Sequence, residues 1–439
     1  MPSTVHNNNS IQFQERRNEL INLIKKTHGD NVRGKVLLFA NFERDGYTFK
    51  QDSSFYYFTG LDEPAAAVCI DLETGSATLF VPNFGKERAK WVADVLEPDK
   101  EKAQELHVNA IEYLGNPCLG YQCHPFFTHR EYENLLKLIQ EWIGAGQKIF
   151  TLNPINASEY IEQRFVLLRI AQVIPAFDQF LVDISGLVAQ LRRKKSKREI
   201  ELMYKAIEIT IDAQEAVMQL MKPGKREYEL QAAIEYQFIA AGGSAAFSSV
   251  VGSGKNSTIL HYMNNNCTIA TGDLVVVDIG AQYDHYCADI TRTYPVSGTF
   301  SQRQKEVYTL VLETQEYIAN LAKPGMWLSN KNYPEQSLNH LARKFLEDRG
   351  YGQYFPHGLG HFLGLDVHDV GDYLQELQVG DVITIEPGIY IPEESLGVRI
   401  EDDYWIVPDG AICLSENLPK NPHDIEKALA YAQQNPLDE

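Results

Sequence analysis

Short apolar runs and helical periodicity alternate along the first part of the chain. Runs at residues 36–40, 65–71 and 77–82 predict strands, because they have the length and the apolar character of buried sheet segments. Residues 86–96 predict a helix, and a long helical region lies further along the chain. The first half is therefore predicted to be an α/β domain.

A second domain is predicted to begin after this helical region. Six basic residues lie within 192–198, and beyond them one face of a predicted helix carries Ile200, Met203, Ile207 and Ile211. Such a basic run can be a nuclear or polyanion-binding signal, but we interpret it as a solvated linker that leads into the first helical turn. The predicted domains are residues 1–180 and 181–439.

The second domain contains a faint internal duplication. Lys222 and Lys323 each begin a Lys-Pro-Gly sequence, 101 positions apart, that follows one periodic helix and precedes another. Pro and Gly are typical of such helix ends. The sequences GDLVVVDIG and GDVITIEPG match at an offset of 108, which aligns Asp278 with Glu386. Two similar halves are therefore predicted to contribute to one site.

Five side chains of this domain are candidate metal ligands. Each lies in a predicted strand or at a strand end: Asp278, Asp289, His361, Glu386 and Glu401. A strand that looks buried rarely carries an unpaired carboxylate, because isolated burial of a charge costs several kcal/mol or more. One divalent ion would leave the four acids at roughly two negative charges, whereas two ions would balance them. The cluster therefore predicts a dinuclear centre.

A predicted hairpin brings the first two acids to one side. A turn near Tyr283 and Asp284 folds the chain so that Asp278 and Asp289 both face inward, although an odd number of positions separates them. Oxygen ligands with one imidazole and no thiolate favour hard ions, so Mn²⁺ is the first choice and Co²⁺, Zn²⁺ and Fe²⁺ are alternatives. Two such ions polarise a carbonyl and lower the pKa of a shared water, which predicts a hydrolase.

Two further histidines are candidate substrate-binding residues. His368 follows the candidate ligand His361 in the segment HGLGHFLGLDVHD and lies 107 positions after His261, close to the duplication offset. The two imidazoles are expected to face each other across the site. There they would hold a substrate carboxyl or carbonyl group and stabilise a tetrahedral intermediate.

Composition limits the partners and the location. The 439 residues exceed the size that one core usually sustains, and the net charge of −19 argues against nucleic acid, which needs a basic face. The start lacks the apolar core of a signal peptide, and no run of about 18 apolar residues occurs, so we expect a cytoplasmic protein without a membrane partner. Six cysteines without CxxC pairs indicate neither a zinc ribbon nor a disulfide framework.

The segments around these residues, taken in order, resemble one known family. They read HYMNNN around His261, then VVVDIGAQYDHYCADITRTYPV, HGLGHFLGLDVHDVG, ITIEPGIYIP and GVRIEDDYWIV. They are similar to the signatures of the Xaa-Pro aminopeptidase (aminopeptidase P) and prolidase family of dinuclear metallopeptidases. QDSSFYYFTGLDEP at residues 51–64 also resembles the N-terminal domain of aminopeptidase P. The resemblance implies the α/β (α+β) class, with a C-terminal pita-bread fold and a smaller α/β N-terminal domain.

The resemblance also implies how the ligands are shared between the two ions. It makes Asp289 and Glu401 the bridging ligands and Asp278 a ligand of one metal. His361 and Glu386 are implied to be ligands of the other metal.

Catalytic roles follow from the same resemblance. Glu386 is implied to be the base that acts on the bridging water, and His261 and His368 are implied to bind substrate and stabilise the transition state. Arg399 and Tyr390 match positions that support the ligands in the family.

The expected reaction is removal of one residue ahead of proline by attack of a metal-bridging hydroxide. A bond to proline is a tertiary amide without an N–H, which peptidases that grip that hydrogen handle poorly. Histidine and aromatic faces can pack its ring instead.

Prolidase, restricted to Xaa-Pro dipeptides, is the alternative, because HGLGHFLGLDVHDVG also resembles prolidases. A non-catalytic or creatinase-like relative is less favoured because such relatives lose ligands. A homodimer or homotetramer, assembled partly through an N-terminal domain that also caps the substrate channel, is implied.

Overall fold

The computed structural model describes residues 10–44, 46–92, 95–120, 128–154 and 160–435. The chain forms two compact units, Met1–Leu191 and Arg192–Glu439. Among the helices of the described residues, none has both the length and the apolar character that crossing a membrane requires.

The N-terminal unit is built on one mixed six-stranded sheet. Its strands are β1 (Gly34–Phe39), β2 (Ala67–Asp71), β3 (Ala77–Val81), β4 (Ala110–Tyr113), β5 (Lys148–Thr151) and β6 (Leu181–Asp183). In the order β4-β3-β2-β1-β5-β6, the β1-β2-β3 meander is antiparallel and the other neighbours are parallel. The three strands predicted from apolar runs are β1, β2 and β3, and they are confirmed to within two residues.

Helices surround this sheet. They are α1 (Ser10–His28), α2 (Ser53–Thr59), α3 (Gly85–Arg88), α4 (Lys100–Glu105), α5 (Glu133–Gly144), α6 (Ile161–Val173) and α7 (Ser185–Arg192). Buried apolar side chains of β1, α5 and α6, such as Leu37, Leu135 and Ile170, belong to one core cluster of this unit. The α/β class predicted for the first half is confirmed.

The helix predicted over 86–96 is wrong beyond its first turn. Only α3 is helical in this stretch, turns follow it, and residues 93–94 lie outside the described part. Trp91, which should have anchored a buried helix face, is 64% exposed. Arg88 is buried instead and pairs with Glu43 at 2.7 Å. A distant ion pair, rather than an apolar stripe, therefore holds this segment.

Glu63 is a buried carboxyl of the N-terminal unit, and its pKa is raised to about 7. Burial is the main cause, and the positive charge of Arg88 opposes it only partly. An unfolded glutamate ionises near pH 4.3, so the folded state becomes less stable as the pH rises from about 4 through about 7, and the loss is complete above that window.

Glu63→Gln is therefore expected to raise the free energy of unfolding of this unit by roughly 2–3 kcal/mol at pH 8, and by less than about 1 kcal/mol at pH 4.5. Urea unfolding of the chelated protein, followed by hydrogen exchange in β2, measures the change. The exposed Glu112→Gln is the control. Equal effects of Glu63→Gln at both pH values would show that ionisation of Glu63 costs nothing.

The C-terminal unit contains many short strands in small antiparallel sheets. Its strands are β7 (Ser244–Ala245), β8 (Val250–Ser253), β9 (Leu274–Ile279), β10 (Ala281–Tyr283), β11 (Tyr286–Cys287), β12 (Ile290–Pro295), β13 (Val382–Ile385), β14 (Gly388–Ile391), β15 (Leu396–Arg399), β16 (Asp402–Val407) and β17 (Gly410–Cys413). The sheet orders are β11-β10-β7, β12-β9-β8, β13-β16-β17 and β14-β15. Its helices are α8 (Lys197–Leu220), α9 (Glu227–Ala240), α10 (Gln302–Leu321), α11 (Leu338–Glu347) and α12 (Pro422–Gln434).

The predicted duplication is visible in this unit. The long helices α8 and α10 both begin at a serine whose side chain and a partner three residues later cap each other's backbone. Both helices end before a Lys-Pro-Gly turn, in which Gly224 and Gly325 have φ values of 91° and 87°. Only glycine adopts this conformation without strain, so the two turns are equivalent in geometry as well as in sequence.

The predicted hairpin between the first two acids is confirmed. Asp284 and His285 both have positive φ and connect β10 to β11, as a tight primed turn requires. Further down the ladder, Thr291 of β12 lies opposite Asp278 of β9. Gly280 separates β9 from β10, where a Cβ would lie only 1.8 Å from the carbonyl oxygen of Ala288. The chain bends there without a side chain in the way.

The interpretation of residues 192–198 as a solvated linker is wrong for three of its six basic residues, whereas Lys194, Lys197 and Arg198 are exposed and α8 begins at Lys197. Arg192, Arg193 and Lys195 are at most 6% exposed. Arg192 and Lys195 pair with the buried Asp369 at 2.6 and 3.0 Å. Arg193 pairs with the buried Asp381 through two nitrogens. Three cations thus neutralise two acids of a distant segment. One of these acids, Asp369, directly follows His368 in the chain.

Candidate metal centre

All five predicted ligands lie where strands of the C-terminal unit begin or end. Asp278 is on β9, and Asp289 directly precedes β12. Glu386 directly follows β13, and Glu401 lies between β15 and β16. His361 precedes Phe362, which forms an isolated bridge to Ile383 of β13. The two halves of the duplication therefore supply two acids each, and His361 breaks the symmetry.

The side chains converge on one small volume. His361 Nε2 lies 3.4 Å from Asp289 Oδ2 and 3.5 Å from Glu386 Oε1. Asp289, His361 and Glu401 each place one ligand atom within 4.8 Å of the other two. Besides burial, the negative charge of Asp278 contributes to a raised pKa of the Asp289 carboxyl, so the fifth group also lies close to the cluster.

The backbone orients His361 toward the acids. Its Nδ1 lies 3.1 Å from the carbonyl oxygen of Phe362, so the ring proton is placed on Nδ1, which donates to that oxygen. The Nε2 lone pair is then directed at the carboxylates, which is how a protein presents a metal-binding imidazole. The backbone N–H of His361 donates to Thr384 Oγ1 at 3.1 Å, so the loop is also tied to β13.

The electrostatics of this cluster demand positive charge. Burial raises the pKa of Asp289 and of Glu401 well above the usual range, and repulsion from neighbouring acids raises them further. Burial also raises the pKa of Glu386 to about 7, although His361 opposes the shift. Carboxyls in such surroundings keep protons unless cations replace them.

The residues fit divalent metal ions. Among the described residues, the buried oxygens Asp278 Oδ1 and Asp289 Oδ1 have no hydrogen-bond partner. Buried polar atoms are nearly always paired, so two such oxygens on candidate ligands indicate acceptors that are available to a cation. Four carboxylates with one imidazole and no thiol are a donor set for hard divalent ions.

A chain of hydrogen bonds supports Asp278. Arg399 is buried and donates to Asp278 Oδ2 at 2.7 Å and to the hydroxyl of Tyr390 at 2.8 Å. The Tyr390 hydroxyl lies 2.9 Å from His357 Nε2, and His357 Nδ1 lies 2.8 Å from the carbonyl oxygen of Gly358. Burial lowers the pKa of His357 to about 4. The neutral imidazole therefore donates from Nδ1 and accepts the Tyr390 proton at Nε2.

The sequence analysis assigned no role to His357. Its Nδ1 also lies 3.7 Å from Glu386 Oε2, so His357 lies directly beside one candidate ligand. It is linked to a second, Asp278, through Tyr390 and Arg399. The His-x-x-x-His spacing of 357 and 361 was the available signal, because two imidazoles so close together often share a site. Arg399 and Tyr390, which were predicted to support the ligands, lie at the cluster.

His368 and His261 lie at the exposed side of the site. The His368 ring centroid is 4.4 Å from that of His361 in an edge-to-face arrangement. Partial desolvation lowers the pKa of His368, and the His361 and His261 imidazoles lower it further. The two predicted substrate-binding histidines are thus within electrostatic range of each other, and His368 directly adjoins a candidate ligand.

Comparisons with known proteins show which family the chain resembles. Residues 201–408 match the model of metallopeptidase family M24, and residues 13–116 match that of the aminopeptidase P N-terminal domain. Among characterised relatives, the Xaa-Pro aminopeptidase of Haemophilus influenzae is 32% identical over 455 residues, 96% of this chain and 97% of that protein. The Xaa-Pro dipeptidase of Pyrococcus horikoshii is 41% identical over 372 residues, 84% of this chain and 91% of that protein.

A solved structure of a related protein has a similar fold. Aminopeptidase P from E. coli with the inhibitor Pro-Leu superposes with a TM-score of 0.78 and 28% sequence identity, covering 97% of this chain and 99% of that one.

Proposed function

The chain belongs to metallopeptidase family M24, and from this premise we propose that Asp278, Asp289, His361, Glu386 and Glu401 hold two divalent metal ions. The protein is a metal-dependent aminopeptidase that hydrolyses the bond between an N-terminal residue and a following proline, on a pita-bread fold. Mn²⁺ is our first choice of ion, because the donor set is rich in hard oxygens.

One observation supports the metal centre most directly. Ligand atoms of Asp289, His361 and Glu401 lie within 4.8 Å of one another, beside two buried carboxylate oxygens without a hydrogen-bond partner among the described residues. Two ions rather than one are favoured because four carboxylates at full ionisation carry four negative charges.

When bound, the ions act as Lewis acids that polarise the substrate carbonyl and lower the pKa of coordinated water. Side chains of the protein supply proton transfer, substrate binding and positioning of the ligands. Glu386, next to His361, accepts the proton of the attacking water, and His357 at 3.7 Å borders the same carboxylate. His368 and His261 face the open side, where they hold the substrate and stabilise the oxyanion. Arg399 keeps Asp278 in place.

Substrate length distinguishes this function from a second candidate. The identity of 41% to a Xaa-Pro dipeptidase favours a prolidase as the alternative. A panel of Xaa-Pro-Yaa tripeptides and Xaa-Pro dipeptides, assayed on protein of measured Mn²⁺ content, separates the two. Release of the first residue from tripeptides supports the aminopeptidase, cleavage of dipeptides alone supports the prolidase, and activity that ignores chelator contradicts both.

Cytoplasmic location and a homodimer or homotetramer complete the proposal. Sedimentation of the purified protein measures the assembly state, and a monomer at micromolar concentration would contradict the oligomer.

His368→Ala is expected to lower kcat about 100-fold and to leave two ions bound, because it removes a donor to the oxyanion but no ligand. Turnover of Ala-Pro-Ala and metal analysis on the same sample measure both quantities. The exposed His423→Ala serves as the control. Loss of an ion in the His368 variant would make His368 a ligand and contradict its assigned role.

A further inference from the structure

Two buried glutamines occupy equivalent places in the duplicated halves. Gln214 lies on α8 and Gln315 on α10, and both are fully buried. They are 101 positions apart, the same offset as the two Lys-Pro-Gly turns that end these helices. Among the hydrogen bonds of the described residues, none joins either glutamine side chain to one of the five candidate ligands. Neither glutamine was a candidate from sequence.

Gln214 joins the two strands that carry the acids of the first half. Its Nε2 donates to the carbonyl oxygen of Val277 at 3.2 Å and to that of Ile290 at 3.1 Å. Its Oε1 accepts the hydroxyl proton of Tyr294 at 3.0 Å, which fixes the orientation of the carboxamide.

Gln315 does the same in the second half. Its Nε2 donates to the carbonyl oxygen of Ile385 at 3.1 Å and to that of Ile400 at 3.3 Å. Here Lys420 donates to Oε1 at 3.1 Å, and Asp402 Oδ2 lies 3.1 Å from Nε2. The partners that orient the two carboxamides differ, but each carboxamide donates to two backbone carbonyls of its own half.

The four carbonyls share one property. Each belongs to a residue directly next to a candidate carboxylate ligand in the chain: Val277 to Asp278, Ile290 to Asp289, Ile385 to Glu386 and Ile400 to Glu401. A primary amide has two N–H groups on one nitrogen, so a single side chain can join two carbonyls at a set separation. The separation of the carbonyls limits the separation of the neighbouring carboxylates.

We propose that Gln214 and Gln315 are positioning residues that set the distance between the two acids of each half, and thereby the geometry of the metal centre. The inference rests on the proposed dinuclear site. It goes further by assigning the spacing of all four acids to two side chains that are not themselves ligands.

Gln214→Met and Gln315→Met test this, because methionine keeps the length of the side chain and removes both N–H groups. Chelated proteins are titrated with Mn²⁺ by calorimetry and with Co²⁺ by visible absorption, which reports coordination geometry. Each variant is expected to bind at least one ion about 10–100-fold more weakly and to shift the Co²⁺ spectrum. The KM for a Xaa-Pro tripeptide should change less than kcat, because the substrate-holding histidines are untouched.

Gln163→Met is the matched control. Gln163 is also buried and also joins two backbone segments, accepting from Phe39 N–H and donating to the Leu152 carbonyl, but it lies in the N-terminal unit. It should lower thermal stability without changing metal affinity or the Co²⁺ spectrum. If the Gln214 and Gln315 variants behaved in the same way, the proposal would be overturned.

Misfolding of the variants and absence of metal binding by the wild type each have a separate meaning for the proposal. If the methionine variants do not fold, Gln214→Leu and Gln315→Leu carry the same test, since leucine is uncharged, fills part of the volume and lacks the donors. Failure of these to fold as well would make the residues requirements of the fold and overturn the proposal. Wild-type protein that binds no ion would instead refute the metal centre itself, a result that the wild-type titration shows separately.

Discussion

Asp289→Asn and Glu401→Gln are each expected to abolish stable metal occupancy and to lower kcat at least about 1,000-fold, roughly 4 kcal/mol of activation free energy. Both acids are buried beside His361, and both are the proposed bridges between the ions. A neutral amide removes one of the four negative charges that hold the ions. Metal analysis after gel filtration and turnover of a Xaa-Pro tripeptide measure the two effects.

The same substitutions are expected to stabilise the metal-free protein against unfolding. Repulsion among buried acids destabilises the chelated wild type, so chelated Glu401→Gln should unfold at a higher temperature than chelated wild type. The amide oxygen can still accept from Thr291 Oγ1, which lies 2.6 Å from Glu401 Oε2. A variant that kept both ions, or one destabilised equally with and without chelator, would contradict the bridging role. Glu416→Gln, at an exposed position, is the control.

Local pattern predicted much of the fold. Strands β1, β2 and β3 follow from apolar runs, and the turn between β10 and β11 follows from the residues between two inward-facing acids. The duplication follows from repeated turns at 222–225 and 323–326. In each case the signal lies within a few residues of the element that it predicts, and the structure confirms it.

The two errors have one physical cause. In both segments, charged residues are buried against acids elsewhere in the chain: Arg88 against Glu43, and Arg192, Arg193 and Lys195 against Asp369 and Asp381. A periodicity or charge count within one window cannot detect a partner about 175 residues away, as Asp369 is from Arg192 and Lys195. Such pairs become apparent only when the fold brings them together.

The candidate site also contains some residues that the sequence predicts and others that it does not. Its five ligand candidates were predictable, because acids within apolar strands conflict with burial unless a cation resolves the conflict. His357 was signalled only by its spacing from His361, and Gln214 and Gln315 were not predictable, because a glutamine within a helical pattern gives no local sign of the backbone groups that it contacts. Their significance depends on which atoms they reach, and that is a property of the assembled halves.

Arg399→Met is expected to lower the free energy of unfolding of the chelated protein by about 3–5 kcal/mol, because it leaves a buried carboxylate without its cation. The guanidinium contacts Asp278, Tyr390 and Thr291, and at 4% exposure it has little access to water. Saturating Mn²⁺ should restore much of the loss, since bound ions supply the missing positive charge. Urea unfolding with chelator and with Mn²⁺ measures the difference.

Two control variants identify the cause of that loss. Arg399→Lys keeps the charge but gives up the forked geometry, so it should recover only part of the stability of the chelated protein. Arg303→Met removes an arginine that pairs with Glu394 at the surface, where such a pair contributes about 1 kcal/mol or less, and Mn²⁺ should make no difference to it. If Mn²⁺ failed to rescue Arg399→Met more than Arg303→Met, Arg399 would be a packing residue with no electrostatic role at the metal centre.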